Sequence, residues 1–273
     1  MTTPQVEIVP CELLQAHPAL AAVFPPGTLL PGTVSVRLGT AQGPLALLPM
    51  RVDQEQISQL GPLIEFRPVP ESGRCELWSC AIDWARKQRA IAVQVVCHDA
   101  DLPVLSRLGW DRTTEILQLI RTVAPAGTSA IDPDIETPLD LPDGVIDLIH
   151  RTQIDSLDLP EALAVRSAES IFIDWRRWAP ERRVVCVARS AAGPVGILLA
   201  TQEESSFEIR YVGIDHRARR QGWGRRLLQS ALQRMAGTLV LAFVDARNTP
   251  AINLYQQYGF EEQQRSSLIF RYL

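Results

Sequence analysis

Residues 211–224 read YVGIDHRARRQGWG, an apolar, strand-like segment that runs directly into a loop of arginines and glycines. The apolar residues that follow recur at helical spacing over 227–235, so an amphipathic helix is expected to begin where the loop ends. The first backbone N–H groups of such a helix are free and lie at the positive end of its dipole. Glycines at 222 and 224 allow close approach to the backbone, and Arg219 and Arg220 add positive charge. The stretch therefore predicts a phosphate or pyrophosphate site.

A second motif lies downstream of that helix. Residues 238–244, TLVLAFV, form an apolar run that predicts a buried strand, and residues 245–260 then read DARNTPAINLYQQYGF. Asn248 or Thr249 is expected to cap a helix that starts at the following proline. Gly259 is placed to end that helix in the left-handed conformation.

The two motifs together, R-x-x-G-x-G at 219–224 and N-T-P-A-x-x-L-Y-x-x-Y-G-F at 248–260, resemble the GCN5-related N-acetyltransferase (GNAT) family. The resemblance covers roughly residues 140–273 and implies acetyl-CoA as co-substrate, with its pantetheine arm in a gap between two splayed strands. One departure is His216, where the family usually has proline; it removes no phosphate contact. The cofactor-binding residues that the resemblance implies are Val212, Gly213, Ile214, Arg219, Arg220, Gln221, Gly222, Trp223, Gly224, Arg225 and Asn248.

The same resemblance implies two catalytic side chains. Tyr255 matches the tyrosine that often protonates the departing thiolate, and its alternative role is an aromatic core contact. Glu208 has the spacing to Gly222 of the base glutamate in histone-acetylating members; alternatively it is a strand carboxylate paired with an arginine, and a water wire takes the proton. Strand alternation predicts that Glu208, Arg210 and Val212 share one face.

Composition narrows the remaining classes of function. The chain has 273 residues and a formal net charge of −4, and no second basic stripe accompanies the arginine cluster, which argues against nucleic-acid binding. No run of eighteen or more apolar residues predicts a membrane span, and the first residues do not resemble a secretory signal. Five scattered cysteines and four dispersed histidines lack metal-site spacing, so we expect no metal and a reduced, cytoplasmic setting.

The first half of the chain contains a faint copy of the second half. With an offset of 150 residues, residues 72–111 align without a gap with residues 222–261. Strands are expected at Val34–Leu38, Leu45–Met50 and Leu63–Val69, in the order of the second half. The fold class predicted is α/β (α+β): two tandem GNAT-like domains, each a mixed, mainly antiparallel twisted sheet flanked by helices, at residues 1–126 and 127–273.

The first copy has lost the residues that carry the chemistry. Ser72 and Arg74 fall on the two glycines of the loop, His98 on Asn248, and Leu105 on Tyr255. A Cβ at each former glycine would block pyrophosphate, and leucine donates no proton. We therefore expect a structural or substrate-shaping first domain; a divergent second cofactor site is the alternative.

A small-residue segment at 124–130 joins the two predicted domains, and residues 152–180 are expected to be mainly helical. The resemblance to the GNAT family implies that this helical region forms one wall of the acceptor site. Charged residues of this wall either face the acceptor or form solvated helix faces: Asp155, Asp158, Glu161, Arg166, Asp174, Arg176 and Arg177.

The sequence thus predicts an acetyl-CoA-dependent N-acetyltransferase whose second domain transfers acetyl directly to a primary amine of a small molecule or peptide. The tandem layout resembles the mycothiol synthases, which acetylate an amine on a cysteinyl pseudodisaccharide. The alternatives are a non-catalytic acyl-CoA-binding or interaction module and an acyltransferase that uses a longer acyl chain. The acceptor and the oligomeric state, monomer or dimer, stay open because acceptor pockets of this fold share no motif.

Overall fold

A computed structural model describes residues 5–10, 33–40, 43–53, 55–61, 63–124, 132–138, 143–177, 183–203 and 205–273. Its internal contacts divide the chain into two compact units. The amino-terminal unit comprises Met1–Glu115 and Ser266–Leu273, and the carboxy-terminal unit comprises Ile116–Arg265.

The amino-terminal unit contains a sheet in the order β1-β2-β3-β4-β6-β13, in which only the β4–β6 pair is parallel. Its elements are β1 Gln5–Pro10, β2 Val34–Thr40, β3 Gly43–Val52, β4 Ile57–Leu60, β5 Ile64–Glu65, α1 Glu71–Lys87, β6 Ala92–Cys97, α2 Leu102–Arg107 and the end of β13 Glu261–Tyr272. The helix α1 buries Leu77, Trp78, Ala81, Ile82 and Ala85, spaced by one helical turn, against the sheet.

The carboxy-terminal unit contains a sheet in the order β7-β12-β11-β10-β9-β8, again with one parallel pair, β11–β12. Its elements are β7 Thr114–Thr122, β8 Ile135–Glu136, α3 Val145–Gln153, α4 Pro160–Leu163, α5 Ala168–Arg177, β9 Arg183–Ser190, β10 Gly193–Glu203, β11 Ser206–Ile214, α6 Trp223–Arg234, β12 Leu239–Asp245 and α7 Thr249–Gln257. The predicted fold class is confirmed, because each sheet is mixed, mainly antiparallel and flanked by helices.

Helices cover both faces of this second sheet. On one face α6 buries Leu227, Leu228, Ala231 and Leu232, the apolar stripe that the sequence predicts, together with Tyr255 of α7. On the other face α3 and α5 pack through Leu148, Ile149 and Trp175 against Ile197 and Leu199 of β10.

The last strand of each half pairs outside its own half of the chain. Strand β7 pairs with β12 from Ile116↔Asp245 to Thr122↔Leu239, whereas the end of β13 pairs with β6 from Ser267↔Cys97 to Tyr272↔Ala92. The amino-terminal unit therefore consists of two segments of the chain, whereas the carboxy-terminal unit is one continuous segment. The predicted boundary between residues 126 and 127 and most of the joining segment at 124–130 lie outside the described residues, as does Cys11.

Several local predictions can be compared with the structure. The strands at Val34–Leu38 and Leu45–Met50 are confirmed. The third strand of the first half is wrong: β4 lies at Ile57–Leu60, and only Ile64–Glu65 of the predicted 63–69 is strand. Two prolines, at 68 and 70, remove backbone donors there.

The strand at 238–244 exists as β12 but is not buried throughout. Val240, Ala242 and Val244 are buried, whereas Phe243 is 48% exposed. Among the described residues, no helix is both long enough and apolar enough to cross a membrane.

Candidate functional site

A gap opens between the carboxyl ends of β11 and β12. The two strands pair in parallel from Ser206↔Leu239 to Ile209↔Ala242 and no further. Yet β11 continues to Ile214, paired with β10, and β12 continues to Asp245, paired with β7. The edge of β11 that faces β12 therefore has no strand partner, within the described residues, over Tyr211–Ile214. An extended ligand with amide groups can pair with such an edge.

A β-bulge at Arg210 sets which side chains line this region. Leu199 pairs with Tyr211 and Ala200 with Ile209, so Arg210 is an extra residue on β11. Phe207 and Ile209 face the α6 side, and after the bulge Val212 and Ile214 face that side too. Glu208 pairs with Thr201 and lies on the opposite side. The predicted common face for Glu208, Arg210 and Val212 is therefore wrong, because the bulge reverses the alternation.

The loop that follows β11, residues 215–222 (the glycine loop), leads to the amino terminus of α6. Gly222 is the N-cap residue with φ of 87°, and no atom lies within 4 Å of the position that a Cβ would occupy. Arg220 is also left-handed, with φ of 61°. Gly224 has a different role, since a Cβ there would lie 3.4 Å from Leu254 of α7. The open space at Gly222 and the free N–H groups of α6 suit an anion.

The side chain of Arg219 does not face this open space. Its guanidinium donates to the carbonyl oxygens of Thr152 at 3.0 Å, Ile154 at 2.5 Å and Asp155 at 2.8 Å, and its Nε donates to Ile214. These are the carbonyls at the end of α3 and in the turn after it, where a cation is favourable. Arg219 thus ties the glycine loop to α3, and only its backbone remains for a phosphate.

The other polar residues of the loop differ in what their side chains contact. Gln221 donates to the carbonyl of Arg217 at 3.1 Å, and Arg225 donates to Gln257 at 3.0 Å. Within the described part of the chain, no hydrogen-bonded or ion-paired partner contacts the exposed side chains of Arg217 and Arg220. These two arginines are the side chains best placed to meet an anion.

Trp223, the first residue of α6, is covered by Arg226, whose guanidinium carbon lies 4.5 Å from the ring centroid. Arg226 itself pairs with Asp132 and Asp134 at 2.6 Å each. The Trp223 ring therefore packs on a structural ion pair, so any cofactor contact of this residue is through its backbone.

Gly213 is required by packing. A Cβ there would collide with the side chain of Thr152 on α3, so the glycine lets α3 approach β11. Thr152 also shares a hydrogen bond of 2.6 Å with the hydroxyl of Tyr211. Burial is the main reason that the pKa of Tyr211 rises to about 12, and the charge of Asp158 adds to it.

Tyr255 lies on α7 and is 6% exposed, with its ring 5.1 Å from that of Phe260 in an edge-to-face contact. Its hydroxyl has no hydrogen-bond partner among the residues that the structure describes. Burial raises its pKa, and the negative charge of Asp158 raises it further. The hydroxyl therefore stays protonated at neutral pH, as a proton donor must.

Glu208 forms the ion pair that the alternative interpretation predicts. Its carboxylate accepts from Nη1 of Arg210 at 2.6 Å, and Arg210 also donates to Thr201 at 3.1 Å. Both side chains of the pair are less than one fifth exposed.

Asn248 caps α7 by accepting from the amide of Ala251 at 3.3 Å, and Gly259 ends that region with φ of 75°, both as predicted. The Asn248 side chain also hydrogen-bonds to the carboxylate of Asp158. The sequence named Asp158 only as one of several charged residues near the acceptor. Its position at the end of β12 is a long-range effect that no motif indicates.

Asp158 belongs to a charged cluster at the mouth of the gap. Its Oδ1 accepts from the backbone amide of Asp245 at 3.1 Å, and the amide of Leu159 donates to the Asp245 carboxylate at 3.2 Å. Arg247 binds Asp245 at 2.6 Å and Glu161 at 2.7 Å. Desolvation and the nearby Asp245 raise the pKa of Asp158.

Among the described residues, no reactive cysteine, metal site or separate cleft coincides with the gap. Cys186 is fully buried on β9, and burial raises the pKa of its thiol to about 12, which makes it a poor nucleophile. In the described ranges, no group of three or more His, Cys, Asp and Glu side chains is placed to hold a metal ion. A cleft of about 500 Å³ between α3 and the start of α5 contains none of the predicted cofactor-binding or catalytic residues, but Arg166, one of the charged residues expected near the acceptor, lines it.

Comparison with known proteins places the gap and the glycine loop in a family. Residues 151–260 match the family model described as Acetyltransferase (GNAT) family. The chain carries a GNAT acetyltransferase domain. The matched residues of the GNAT domain include the glycine loop, the gap, Asp158 and Tyr255.

One curated relative is a mycothiol acetyltransferase of Nocardia farcinica (strain IFM 10152), 29% identical over 184 residues. The match covers 58% of this chain and 56% of the relative, so the chain spans little more than half the length of that protein.

Two solved structures share the fold at low sequence identity. A GCN5-related N-acetyltransferase of Sphaerobacter thermophilus has a TM-score of 0.65 at 17% identity, covering 88% of this chain and 80% of its own. A tandem GNAT protein of the clavulanic acid biosynthesis pathway, without AcCoA, has a TM-score of 0.63 at 17% identity, covering 98% of both chains. These likenesses concern the fold, including the presence of two GNAT-like units.

Proposed function

We propose that the chain is an acetyl-CoA-dependent N-acetyltransferase that transfers an acetyl group directly to a primary amine. The observation that carries this proposal is the edge of β11 at Tyr211–Ile214, which has no strand partner within the described residues and leads to a glycine loop and a helix amino terminus. A strand edge for amides followed by an anion site fits a pantetheine arm that continues into a pyrophosphate.

The glycine loop fits the phosphates on a structural criterion. Gly222 has a left-handed backbone and open space where a Cβ would lie, so its backbone can be approached closely. The amides of residues 219–224 would hold the pyrophosphate, with Arg217 and Arg220 supplying positive charge beside it. Arg219 would act indirectly, by holding the loop against α3.

The acetyl thioester supplies an activated acyl group, and this chain supplies binding and proton transfer. In the reaction the amine nitrogen forms a bond to the acetyl carbon while the bond from that carbon to sulfur breaks. Tyr255 would donate its hydroxyl proton to the departing sulfur, because the hydroxyl is protonated at neutral pH and has no hydrogen-bond partner among the described residues. A base must take one proton from the amine.

Direct transfer is favoured over a covalent acyl-enzyme. An acyl-enzyme needs a nucleophile activated by a lowered pKa or an adjacent base. Cys186 is buried, with a thiol pKa of about 12. Its side chain packs in the core under α6.

The acceptor is proposed only as a class, a small molecule or peptide with a primary amine. The mycothiol acetyltransferase relative makes a cysteinyl amine a reasonable first choice. A suitable probe is S-methylcysteine methyl ester, which has no thiol of its own, beside spermidine and benzylamine.

The proposal is tested by incubating the full chain with acetyl-CoA and each amine and measuring free thiol and the mass of the acetylated product. We expect equal amounts of thiol and acetylated amine for at least one probe. Tight binding of acetyl-CoA without transfer to any amine would favour a non-catalytic acyl-CoA-binding module. Transfer from octanoyl-CoA but not from acetyl-CoA would favour a longer acyl donor.

A further inference from the structure

We infer that Asp158, rather than Glu208, is the carboxylate that takes the proton from the acceptor amine. The inference rests on the proposed function, since it assigns one step of that reaction. Three observations carry it: the charge balance around Asp158, its place at the mouth of the gap, and the way its loop is held.

Asp158 differs from the other carboxylates of its cluster in its ion pairing. Arg247 contacts both neighbouring acids, Glu161 and Asp245, and its donors are engaged. Nη1 and Nη2 donate to Glu161 at 2.7 and 2.8 Å, and Nε and Nη2 donate to Asp245 at 3.0 and 2.6 Å. Asp158 receives only the backbone amide of Asp245 and the side-chain amide of Asn248. No ion pair to Asp158 occurs among the described residues.

Asp158 lies at the open end of the gap between β11 and β12. Its partner amide belongs to Asp245, the last residue of β12, three residues beyond the last pair with β11. Its charge also acts on the hydroxyls of Tyr211 on β11 and Tyr255 on α7. A carboxylate between the two strand ends and near the predicted proton donor is placed where the amine must arrive.

The loop that carries Asp158, residues 154–159 (the acidic loop), is held in an unusual conformation. Asp155 and Leu159 both have positive φ, 52° and 46°, although neither is glycine. Strain of this kind persists only where the surroundings fix it. Arg219 fixes the start of the loop through two carbonyls, and Asp245 fixes its end through the amide of Leu159. The glycine loop and the acidic loop are thus connected by one arginine.

Glu208 is less suited to the same step. Its carboxylate is already paired with Arg210, which Thr201 helps to hold, so taking a proton would weaken an ion pair. It also lies on the face of β11 opposite to Val212, because of the bulge at Arg210. Proton transfer is most efficient for a base whose pKa lies near the working pH, and burial moves the pKa of Asp158 in that direction.

The groups that face Asp158 determine how it titrates. They are Asp245 and Arg247 at the end of β12, Tyr211 on β11, and Asn248 and Tyr255 at α7. Because its pKa is raised in the folded state, Asp158 binds a proton more tightly there than in the unfolded chain. It therefore contributes stability below its ordinary pKa, and that contribution is lost as the pH rises through the folded-state pKa.

The test compares Asp158→Asn with two matched variants, Glu208→Gln and Asp155→Asn, each of which replaces a carboxylate by an amide. The first readout uses the protein without ligand: urea unfolding between about pH 4 and pH 9. We expect Asp158→Asn to gain stability relative to wild type as the pH rises, because the variant lacks the carboxyl group whose pKa is raised in the folded state. Equal pH dependence in wild type and Asp158→Asn would overturn the inference whether or not an acceptor is known.

The second readout uses acetyl-CoA and whichever of the three amine probes the wild type accepts. We expect Asp158→Asn to lower kcat by about 10²–10⁴-fold and to remove the acidic limb of the pH–rate profile, with the affinity for acetyl-CoA unchanged. Glu208→Gln should keep that limb. A variant Asp158→Asn that retains wild-type rates, or loss of the limb in Glu208→Gln instead, would make Glu208 or water the base. Failure of the wild type to acetylate any amine would refute the proposed function, and the unfolding readout would then decide separately whether Asp158 titrates.

Discussion

Each unit contains two strands that pair in parallel, with a helix between them in the chain: β4, α1 and β6 in the amino-terminal unit, and β11, α6 and β12 in the carboxy-terminal unit. The units differ in how the first of these strands ends. In the carboxy-terminal unit β11 runs five residues past its last pair with β12, which leaves a gap. In the amino-terminal unit β4 ends at Leu60, its last pair being with Val95. Gly61 follows, and a Cβ there would collide with the carbonyl oxygen of Val96 on β6. The parallel strands thus separate in the carboxy-terminal unit, whereas backbone packing at Gly61 closes the corresponding point in the amino-terminal unit.

The helices that follow these first strands also differ, because the start of α6 suits an anion and the start of α1 does not. The helix α6 begins after Gly222 with an open N-cap region, whereas α1 begins at Glu71, after Pro70, with an acidic residue in its first turn. Arg74 in that first turn contacts Asp101 at 2.9 Å and Glu65 at 2.6 Å. An anion site needs unpaired positive charge, and here the arginine is used by two carboxylates of the same unit. The comparison teaches that a shared fold retains a ligand site only where its backbone edge and its cation stay free.

The largest effect is expected from filling the open space at Gly222. In Gly222→Leu the side chain would lie where phosphate oxygens must approach, so acetyl-CoA affinity should fall by about 10³-fold or more. Gly237→Leu is the matched control, since Gly237 has φ of 79° and no neighbour within 4 Å. Calorimetry should show binding lost in the first variant and kept in the second. Equal affinity in both would mean that the glycine loop does not hold the cofactor.

Tyr255→Phe should reduce kcat by about 10²–10⁴-fold, because it removes the proton donor to sulfur, while acetyl-CoA affinity stays unchanged. Tyr258→Phe is the control: its exposed hydroxyl donates to the carbonyl of Arg225 at 3.1 Å and is placed in no catalytic role. Rates are measured by thiol release. If both variants stay within about twofold of wild type, Tyr255 is a core residue, as Leu105 is in the other unit.

Removing the arginine of the closed unit should cost stability rather than binding. In Arg74→Leu the carboxylate of Asp101, which is 1% exposed, would lose its guanidinium, so the free energy of unfolding should fall by about 3 kcal/mol. Arg86→Leu, which breaks an exposed pair with Asp83, should change it by less than about 1 kcal/mol. Urea unfolding measures both. A loss of acetyl-CoA affinity in Arg74→Leu would indicate a cofactor site in the amino-terminal unit.

The smallest effect is expected from the exposed arginines of the glycine loop. Arg217→Gln and Arg220→Gln should each weaken acetyl-CoA binding by about tenfold, as loss of one charge-assisted hydrogen bond does. Arg225→Gln should weaken it less, because Arg225 already donates to Gln257. The reverse order of effects would show that Arg225, rather than Arg217 or Arg220, meets the phosphate.

Much of this comparison is visible in the sequence, because it depends on local patterns. The apolar stripe of α6, the cap at Asn248 and the left-handed Gly259 follow from residue type and spacing. The loss of glycines and tyrosine in the first copy is likewise a matter of identity at aligned positions. The fold class followed from the resemblance of the second half to the GNAT family and from the repeat in the first half.

What the sequence could not predict depends on long-range contacts. The bulge at Arg210 leaves no trace in composition, yet it moves Glu208 to the other face from Val212. The partner strands of β7 and β13 are not specified by their own apolar patterns. The sequence alone suggests that Arg219 binds phosphate, but its guanidinium donates to carbonyls at the end of α3. Asp158 is one acid among several in its segment, and only the position of β12 distinguishes it.

We expect the carboxy-terminal unit to bind acetyl-CoA and the amino-terminal unit not to bind it. Titration calorimetry of the full chain with acetyl-CoA, run in parallel on wild type and Gly222→Leu, measures this directly. We expect one equivalent bound per wild-type chain and none in the variant. Two equivalents in the wild type, or one equivalent that survives in Gly222→Leu, would contradict it.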